Sequence, residues 1–111
     1  MDTLPNSVDE FLSLSANNPE FANKLFVLDF KAIWCAPCKV MLPFVDYLKR
    51  EYPNVSFHLV DIEDTELEEY PTRFEVLKVP TFVLIKNGKV VGKMVGTDKQ
   101  KLEELVGEHS F

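Results

Sequence analysis

The sequence predicts an α/β fold in which a central mixed β-sheet of four or five strands is flanked by about four helices. Apolar runs rich in strand-forming residues occur at 25–30, 55–60, 81–86 and 89–95, with amphipathic segments between them. The strand–helix–strand order across 25–60 is that of a βαβ unit, so its two strands should be parallel. Asn87-Gly88 separates the last two runs and predicts a hairpin.

Two helices are predicted in the first half of the chain. Ser7, followed three residues later by Glu10, has the form of a capping box and predicts the start of the first helix. Pro19 should break that helix or begin a short second turn. Residues 36–52 predict a helix that Pro43 should kink. Its buried face is expected to comprise Met41, Phe44, Val45, Leu48 and Tyr52.

An acidic stretch at 61–69 opens the second half and is expected to form a solvated helix face. Thr65 is the predicted cap of a third helix, which Pro71 should shorten or break. Thr97 is the predicted cap of the last helix. That helix should turn Leu102, Leu105 and Val106 inward.

Composition limits the possible classes of protein. A chain of 111 residues, 46% of them hydrophobic, fits a single domain spanning 1–111. A net charge of −6 argues against nucleic-acid binding, which needs a basic face. No apolar run approaches the ~20 residues of a membrane span, and the first residues lack a signal-peptide pattern. The sequence therefore predicts a cytoplasmic protein, and a monomer is expected.

The only two cysteines lie three residues apart in the run Trp34-Cys35-Ala36-Pro37-Cys38-Lys39. If a helix begins just after Cys35, both sulfurs share its first turn and can bond to each other. The helix N-terminus favours negative charge, so Cys35 should supply the nucleophilic thiolate of disulfide exchange. Cys38 lies further into the helix and is expected to be the more buried, resolving thiol.

Two other interpretations of the cysteines remain open. They could be buried structural residues, or they could be half of a zinc site. Zinc usually needs four ligands at characteristic spacings. Only His58 and His109 could complete such a set, and they are not spaced as a ligand pair.

Over nearly its whole length the chain resembles the thioredoxin family. The resemblance rests on several motifs in order along the chain rather than on the cysteine spacing alone. These motifs are Asp29-Phe30, Ala32, the run 34–39, Pro43, Val79-Pro80-Thr81-Phe82, Lys86-Asn87-Gly88 and Val95-Gly96.

The resemblance implies roles for residues outside the cysteine pair. Asp29, an unusual acid in an apolar strand, would lie beneath Cys38 and relay its proton; the alternative is a strand-end carboxylate in water. Pro80 would follow a cis peptide bond and face the cysteines, which leaves the Val79 backbone free to pair with an extended substrate segment. The implied substrate-binding residues are Trp34, Ala36, Pro37, Val79, Pro80, Thr81, Val95 and Gly96.

The chain departs from the family pattern at several places. Most members have Gly where this chain has Ala36, and many have Lys or Glu where it has Leu59. Lys31 falls two residues after Asp29, on the same side of a strand, and could partly replace the missing polar partner. A lysine directed to solvent is the alternative. The segment around Pro71 is also slightly longer than in familiar members.

The function implied is that of a protein-disulfide reductase in cell redox homeostasis and electron transport. Such a protein would have no bound cofactor and would be returned to the dithiol form by thioredoxin reductase, with electrons from NADPH. One rival is an oxidase or isomerase on the same fold, but those usually have His in the C-x-x-C, where this chain has Pro37. The other rival is a module that binds a partner regardless of redox state.

Overall fold

The computed structural model describes all 111 residues. Four α-helices and four strands make up the fold, joined by two short 3-10 turns, Pro19–Phe21 and Thr65–Leu67. The strands are β1 (Leu25–Lys31), β2 (Ser56–Asp61), β3 (Thr81–Lys86) and β4 (Lys89–Val95). The helices are α1 (Val8–Asn17), α2 (Ala36–Glu51), α3 (Glu69–Arg73) and α4 (Lys99–His109). None of the helices is long and apolar enough to cross a membrane.

The sheet is mixed, as predicted, and its strand order is β2-β1-β3-β4. β1 pairs in parallel with β2, which confirms the βαβ unit, and antiparallel with β3. β3 and β4 form the antiparallel hairpin. Because β1 and β3 are the inner strands and both faces of the sheet are covered, their residues are buried almost without exception.

Two apolar clusters hold the helices against the two faces of the sheet. Alternate residues of β1 point to opposite faces, so Phe26, Leu28 and Phe30 pack with Phe11 of α1 and Tyr70 of α3. On the other face, α2 and α4 cover the sheet. The cluster there includes Leu25, Val27, Met41, Val45, Leu48, Phe82, Leu84, Leu102 and Val106, with Phe44, Tyr52 and Leu105 at its margin.

The hairpin turn has the bounds that Asn87-Gly88 predicts, and both turn residues have positive φ, 53° and 77°. The tip of the turn is bound to α1. The Gly88 N–H donates to the Ser15 hydroxyl at 2.9 Å, and a Cβ at Gly88 would lie 2.7 Å from the Cβ of Ala16. Glycine is therefore required both by its backbone conformation and by the approach of the helix.

Two predicted helix caps are wrong by one residue. Asp64, not Thr65, caps the turn at 65–67, and Asp98, not Thr97, caps α4, its carboxylate accepting from the Lys101 N–H at 3.0 Å. Aspartate is a good cap because its negative carboxylate also interacts favourably with the positive end of the helix dipole. Ser7 caps α1 as predicted, and Pro19 starts a separate turn.

The remaining differences at element ends are small. α2 runs unbroken through Pro43 and ends at Glu51, with Tyr52 as its C-cap rather than its last residue. β2 lies one residue later than predicted. The third helix is broken into the turn at 65–67 and the short α3, which contains Pro71.

Candidate redox site

The two cysteines lie at the start of α2, shortly after β1 ends. Three residues follow β1, and the Cys35 N–H then donates to the Ala32 carbonyl at 3.1 Å, which turns the chain into the helix. Cys35 is the N-cap of α2, and its sulfur accepts a hydrogen bond from the Cys38 N–H at 3.1 Å. Pro37 fits in this first turn because no backbone donor is needed there.

Cys35 and Cys38 form a disulfide, with their Cα atoms 5.3 Å apart. Both are buried, with exposed fractions of 3% and 5%, among Ala32, Ile62 and Val79. The expectation that Cys38 is the more buried residue is therefore wrong for the disulfide form, because both sulfurs share one enclosed turn. The distinction between the two sulfurs is their position on the helix: Cys35 is at the cap, where the N–H donors converge.

Asp29 lies inside β1 with 3% of its surface exposed, among apolar neighbours on the face that α2 covers. The alternative of a solvated strand-end carboxylate is therefore wrong. Desolvation by burial raises the pKa of Asp29 from 3.8 to about 7, and the charges of Lys31 and Lys49 oppose that shift. This carboxyl changes its protonation near neutral pH.

Lys31 does not point freely into solvent. Its Nζ lies 3.8 Å from Oδ2 of Asp61, its register partner on β2, and both side chains are partly buried. Lys31 therefore acts on Asp29 through its charge, not through an ion pair of its own with that carboxyl.

The loop before β3 brings a second segment to the cysteines. The Val79–Pro80 peptide bond is cis, as the resemblance implies, and the Pro80 carbonyl accepts from the Gly96 N–H at 2.9 Å. Pro80 is itself buried. Thr81 is fully buried, and its hydroxyl donates to the Lys78 carbonyl at 2.6 Å. The Thr81 side chain is therefore absent from the protein surface, and the substrate-binding role that the resemblance implies for Thr81 stays a prediction.

An apolar surface surrounds the disulfide. Trp34, Ala36, Pro37 and Val95 are exposed, and Val79 and Gly96 are partly so. The sequence interpretation missed Leu77, which is 92% exposed and lies on this surface. A groove of about 100 Å³ runs between Trp34, Ile62, Val76, Leu77 and Val79. The segment 76–79, apolar apart from Lys78, precedes a strand without belonging to it, and this was the available signal.

A second and larger groove, of about 210 Å³, shares no lining residue with the first and was also missed. Cys38 forms part of its wall, and its remaining lining is Lys31, Ala32, Ile33, Lys39, Leu42 and Leu59. We call it the Leu59 groove. Leu59 is the β2 register partner of Asp29, so the groove lies beside the buried carboxyl as well as the sulfur.

The zinc alternative lacks a ligand set. No group of three or more His, Cys, Asp or Glu side chains is arranged to hold a metal ion. His58 is buried in β2, where a ring nitrogen lies 2.9 Å from the Ser56 hydroxyl, and the two sulfurs are bonded to each other. His109 lies at the end of α4, where its carbonyl accepts from the Lys86 ammonium at 2.9 Å.

A helix cap that is itself half of a disulfide places this protein among the thiol–disulfide oxidoreductases. Comparison with known proteins specifies the family. The thioredoxin family model matches residues 7–108. Human thioredoxin is 42% identical over 86 residues, 78% of this chain and 80% of that protein. An H-type thioredoxin of Nicotiana tabacum is 41% identical over 86 residues, 78% of this chain and 71% of that protein.

Solved structures agree with the sequence matches. A thioredoxin from Nicotiana alata superposes with a TM-score of 0.78 at 38% identity, covering 94% of this chain and 88% of the other. The chain belongs to the thioredoxin family, has the thioredoxin fold, and is a protein dithiol–disulfide oxidoreductase.

Replacing Asp29 with Asn should stabilise the fold increasingly as pH rises. In the unfolded chain the carboxyl loses its proton near pH 3.8, and in the folded protein near pH 7. Between these values the folded state binds more protons, so the carboxyl's contribution to stability falls with rising pH and is lost above about pH 7. The Asn variant has no carboxyl to ionise at this position, so it does not lose this stability. Its unfolding free energy relative to the parent should rise by roughly 2–4 kcal/mol between pH 4 and pH 8.

Urea denaturation of the disulfide form at pH 4, 5.5 and 8 measures this difference. Asp46→Asn, on the exposed side of α2, is the matched control and should show no such trend. A stability difference independent of pH would show that Asp29 does not titrate near neutrality.

Replacing Lys31 with Met should raise the pKa of Asp29 above about 7. The charges of Lys31 and Lys49 both lower this pKa, and Lys31 has the larger effect. Removing Lys31 therefore leaves less to oppose the rise that desolvation causes. An NMR titration of the Asp29 carboxyl carbon gives the value directly. Lys39→Met should leave it unaltered, since Lys39 is not among the charges acting on Asp29. An unchanged pKa in Lys31→Met would reject the role of Lys31.

Proposed function

We propose that this thioredoxin works as a reductant of protein disulfides in the cytoplasm, as a monomer without a bound cofactor. A thioredoxin reductase would return it to the dithiol form with electrons from NADPH, and so connect it to electron transport. The observation that supports this proposal best is the helix N-cap position of Cys35, beside a second cysteine that can close a disulfide with it.

Reduction takes two exchange steps. The Cys35 thiolate attacks one sulfur of the substrate disulfide, a bond forms between them, and the other substrate sulfur leaves as a thiolate. Cys38, as its thiolate, then attacks the Cys35 sulfur, and the first substrate sulfur leaves. Two electrons pass to the substrate, and the protein keeps the Cys35–Cys38 disulfide. The Cys38 N–H and the helix terminus favour the Cys35 thiolate.

Asp29 is proposed to take the proton from the Cys38 thiol in the second step. A carboxyl with a pKa of about 7 can both accept and release a proton at neutral pH. The register of β1 with β2 supports this role, because Leu59 is paired with Asp29 and shares a groove with Cys38. No residue lining that groove is another acid, and the remaining acids of the chain are not buried as Asp29 is.

Substrate recognition is proposed to use the apolar surface and the Val79 backbone. Trp34, Ala36, Pro37, Val95 and Gly96 offer apolar contact without fixed polar partners, which suits many different polypeptides. An extended segment could pair with the backbone of Val79 in the manner of an added strand. The buried Pro80 would shape this loop from beneath. Neither nucleic acid nor membrane is proposed as a partner.

The equilibrium reduction potential of the Cys35–Cys38 pair tests the proposed direction of electron flow. We expect a value near about −270 mV in a defined thiol buffer, as for a cytoplasmic reductant. A value near about −180 mV or above would favour an oxidase or isomerase. The absence of a reversible couple would favour a binding module, and a Cys35→Ser, Cys38→Ser double variant provides the baseline.

Asp29→Asn should slow substrate reduction by on the order of tenfold or more, because Cys38 loses its proton acceptor. The parent rate should rise with pH through an inflection near pH 7, where Asp29 ionises, and the variant should lack that inflection. Stopped-flow reduction of a protein disulfide from pH 5.5 to 8.5 measures both effects. Asp46→Asn should retain the parent profile, and an unchanged profile in Asp29→Asn would eliminate the proton relay.

A further inference from the structure

We propose that the Leu59 groove is a second docking site for disulfide-bearing polypeptides, and that it takes an apolar side chain followed by an acidic one. This inference rests on the proposed reduction of protein disulfides. It assigns a substrate preference to a groove that shares no lining residue with the groove beside Trp34.

The shape of the groove suits an aliphatic side chain. A water molecule occupies about 30 Å³, so a groove of about 210 Å³ has room for a branched side chain of several heavy atoms. Three exposed aliphatic residues line it: Ile33 after β1, Leu42 on α2 and Leu59 on the edge strand β2. Covering them together would remove apolar surface from water.

The groove is continuous with the redox site. Cys38 lies in its wall, and the Cα of Cys38 is 5.3 Å from that of Cys35. An extended polypeptide advances about 3.3 Å per residue, and side chains two positions apart share a face. A substrate whose cysteine engages Cys35 can therefore place in the groove a side chain two positions along.

The charges that line the groove predict an acidic residue beside the apolar residue of the substrate. The chain carries a net charge of −6, yet the only charged residues that line the groove are Lys31 and Lys39. The structure contains two ion pairs, Lys31–Asp61 and Arg73–Asp9. Lys39 belongs to neither pair, so its ammonium group is available to a carboxylate of a partner that covers Leu59 in the same groove.

The proposed preference depends on the apolar character of Leu59. A Lys or Glu at that position would place a charge beside the groove. Leu59, 49% exposed, keeps the lining apolar apart from Lys31 and Lys39. Leu59 and Lys39 are therefore the residues that set the preference.

The test compares three cysteine peptides, each presented as its disulfide dimer. The first is Glu-Leu-Gly-Cys-Gly-Leu-Glu, whose symmetry places Leu two positions from the cysteine in either chain direction. In the second, Ser replaces Leu, and in the third, Lys also replaces Glu. The dithiol protein is mixed with each peptide dimer in a single turnover, and released peptide thiol is quantified after acid quench. Rates are divided by the rate with bis(2-hydroxyethyl) disulfide, a small neutral substrate, for each protein.

For the parent protein we expect the Leu-Glu peptide to react about fivefold faster than the Ser-Glu peptide, and the Ser-Glu peptide faster than Ser-Lys. Leu59→Ser should abolish the first preference, and Lys39→Gln the second. Val90→Ser is the matched control, since Val90 is a strand residue 52% exposed and does not line the groove. It should keep both preferences.

Three results would overturn the proposal: equal rates for the peptides, a preference that survives Leu59→Ser, or a preference that Val90→Ser also removes. Sedimentation provides a further check. A dimer that Leu59→Ser dissociates would show that a second copy of the chain covers the groove. Failure to reduce even the neutral disulfide would instead reject the proposed reductase function, so the two failures are distinguishable.

Discussion

The cap of α2 is the constraint on which the site depends. A helix begins with N–H groups that need an acceptor, and here the acceptor is the sulfur of Cys35 rather than an oxygen of Ser, Thr, Asp or Asn. That choice fixes the sulfur at the positive end of the helix. Because Cys38 lies in the same first turn, its sulfur is within bonding distance of Cys35.

The sheet supports this junction by burying every residue of β1 except Lys31 at its end. Leu25, Val27 and the other apolar residues of the strand are covered on both faces, so an acid in that strand has little access to water. Because burying a charge is unfavourable, the pKa of Asp29 is raised toward neutral pH. Stability and chemistry are thereby opposed at one residue, since the ionised form that accepts a proton is also the form that weakens the fold.

Much of the fold could be predicted from local signals that have a single structural meaning. Asn87-Gly88 allows few conformations, and the bounds predicted for β3 and β4 are those observed. Capping signals were less decisive, because Thr65 and Thr97 each have an Asp neighbour that competes for the same position. The family resemblance supplied the cis bond at Pro80, which the sequence by itself would not favour.

The grooves could not be predicted, because neither is a property of one segment. The Leu59 groove needs the edge of β2, the start of α2 and the end of β1 to approach one another. The resemblance indicated only that Leu59 is apolar where many members of the family have Lys or Glu. Relative burial of the two cysteines was also beyond prediction, since it depends on how Ala32, Ile62 and Val79 close over the turn.

The hydrogen bond between the β3–β4 turn and α1 limits where a peptide can be inserted into this protein. Hairpin tips are usually suitable places to insert a peptide tag or to open a circular permutant, because few contacts are lost. Here Gly88 donates to Ser15, and the Asn23 N–H donates to Asn87 at 2.9 Å, so a tag at the tip would detach α1 and the connection before β1 from the hairpin. The exposed residues 63–66, which have no such contacts to α1, are the better site for a fused reporter.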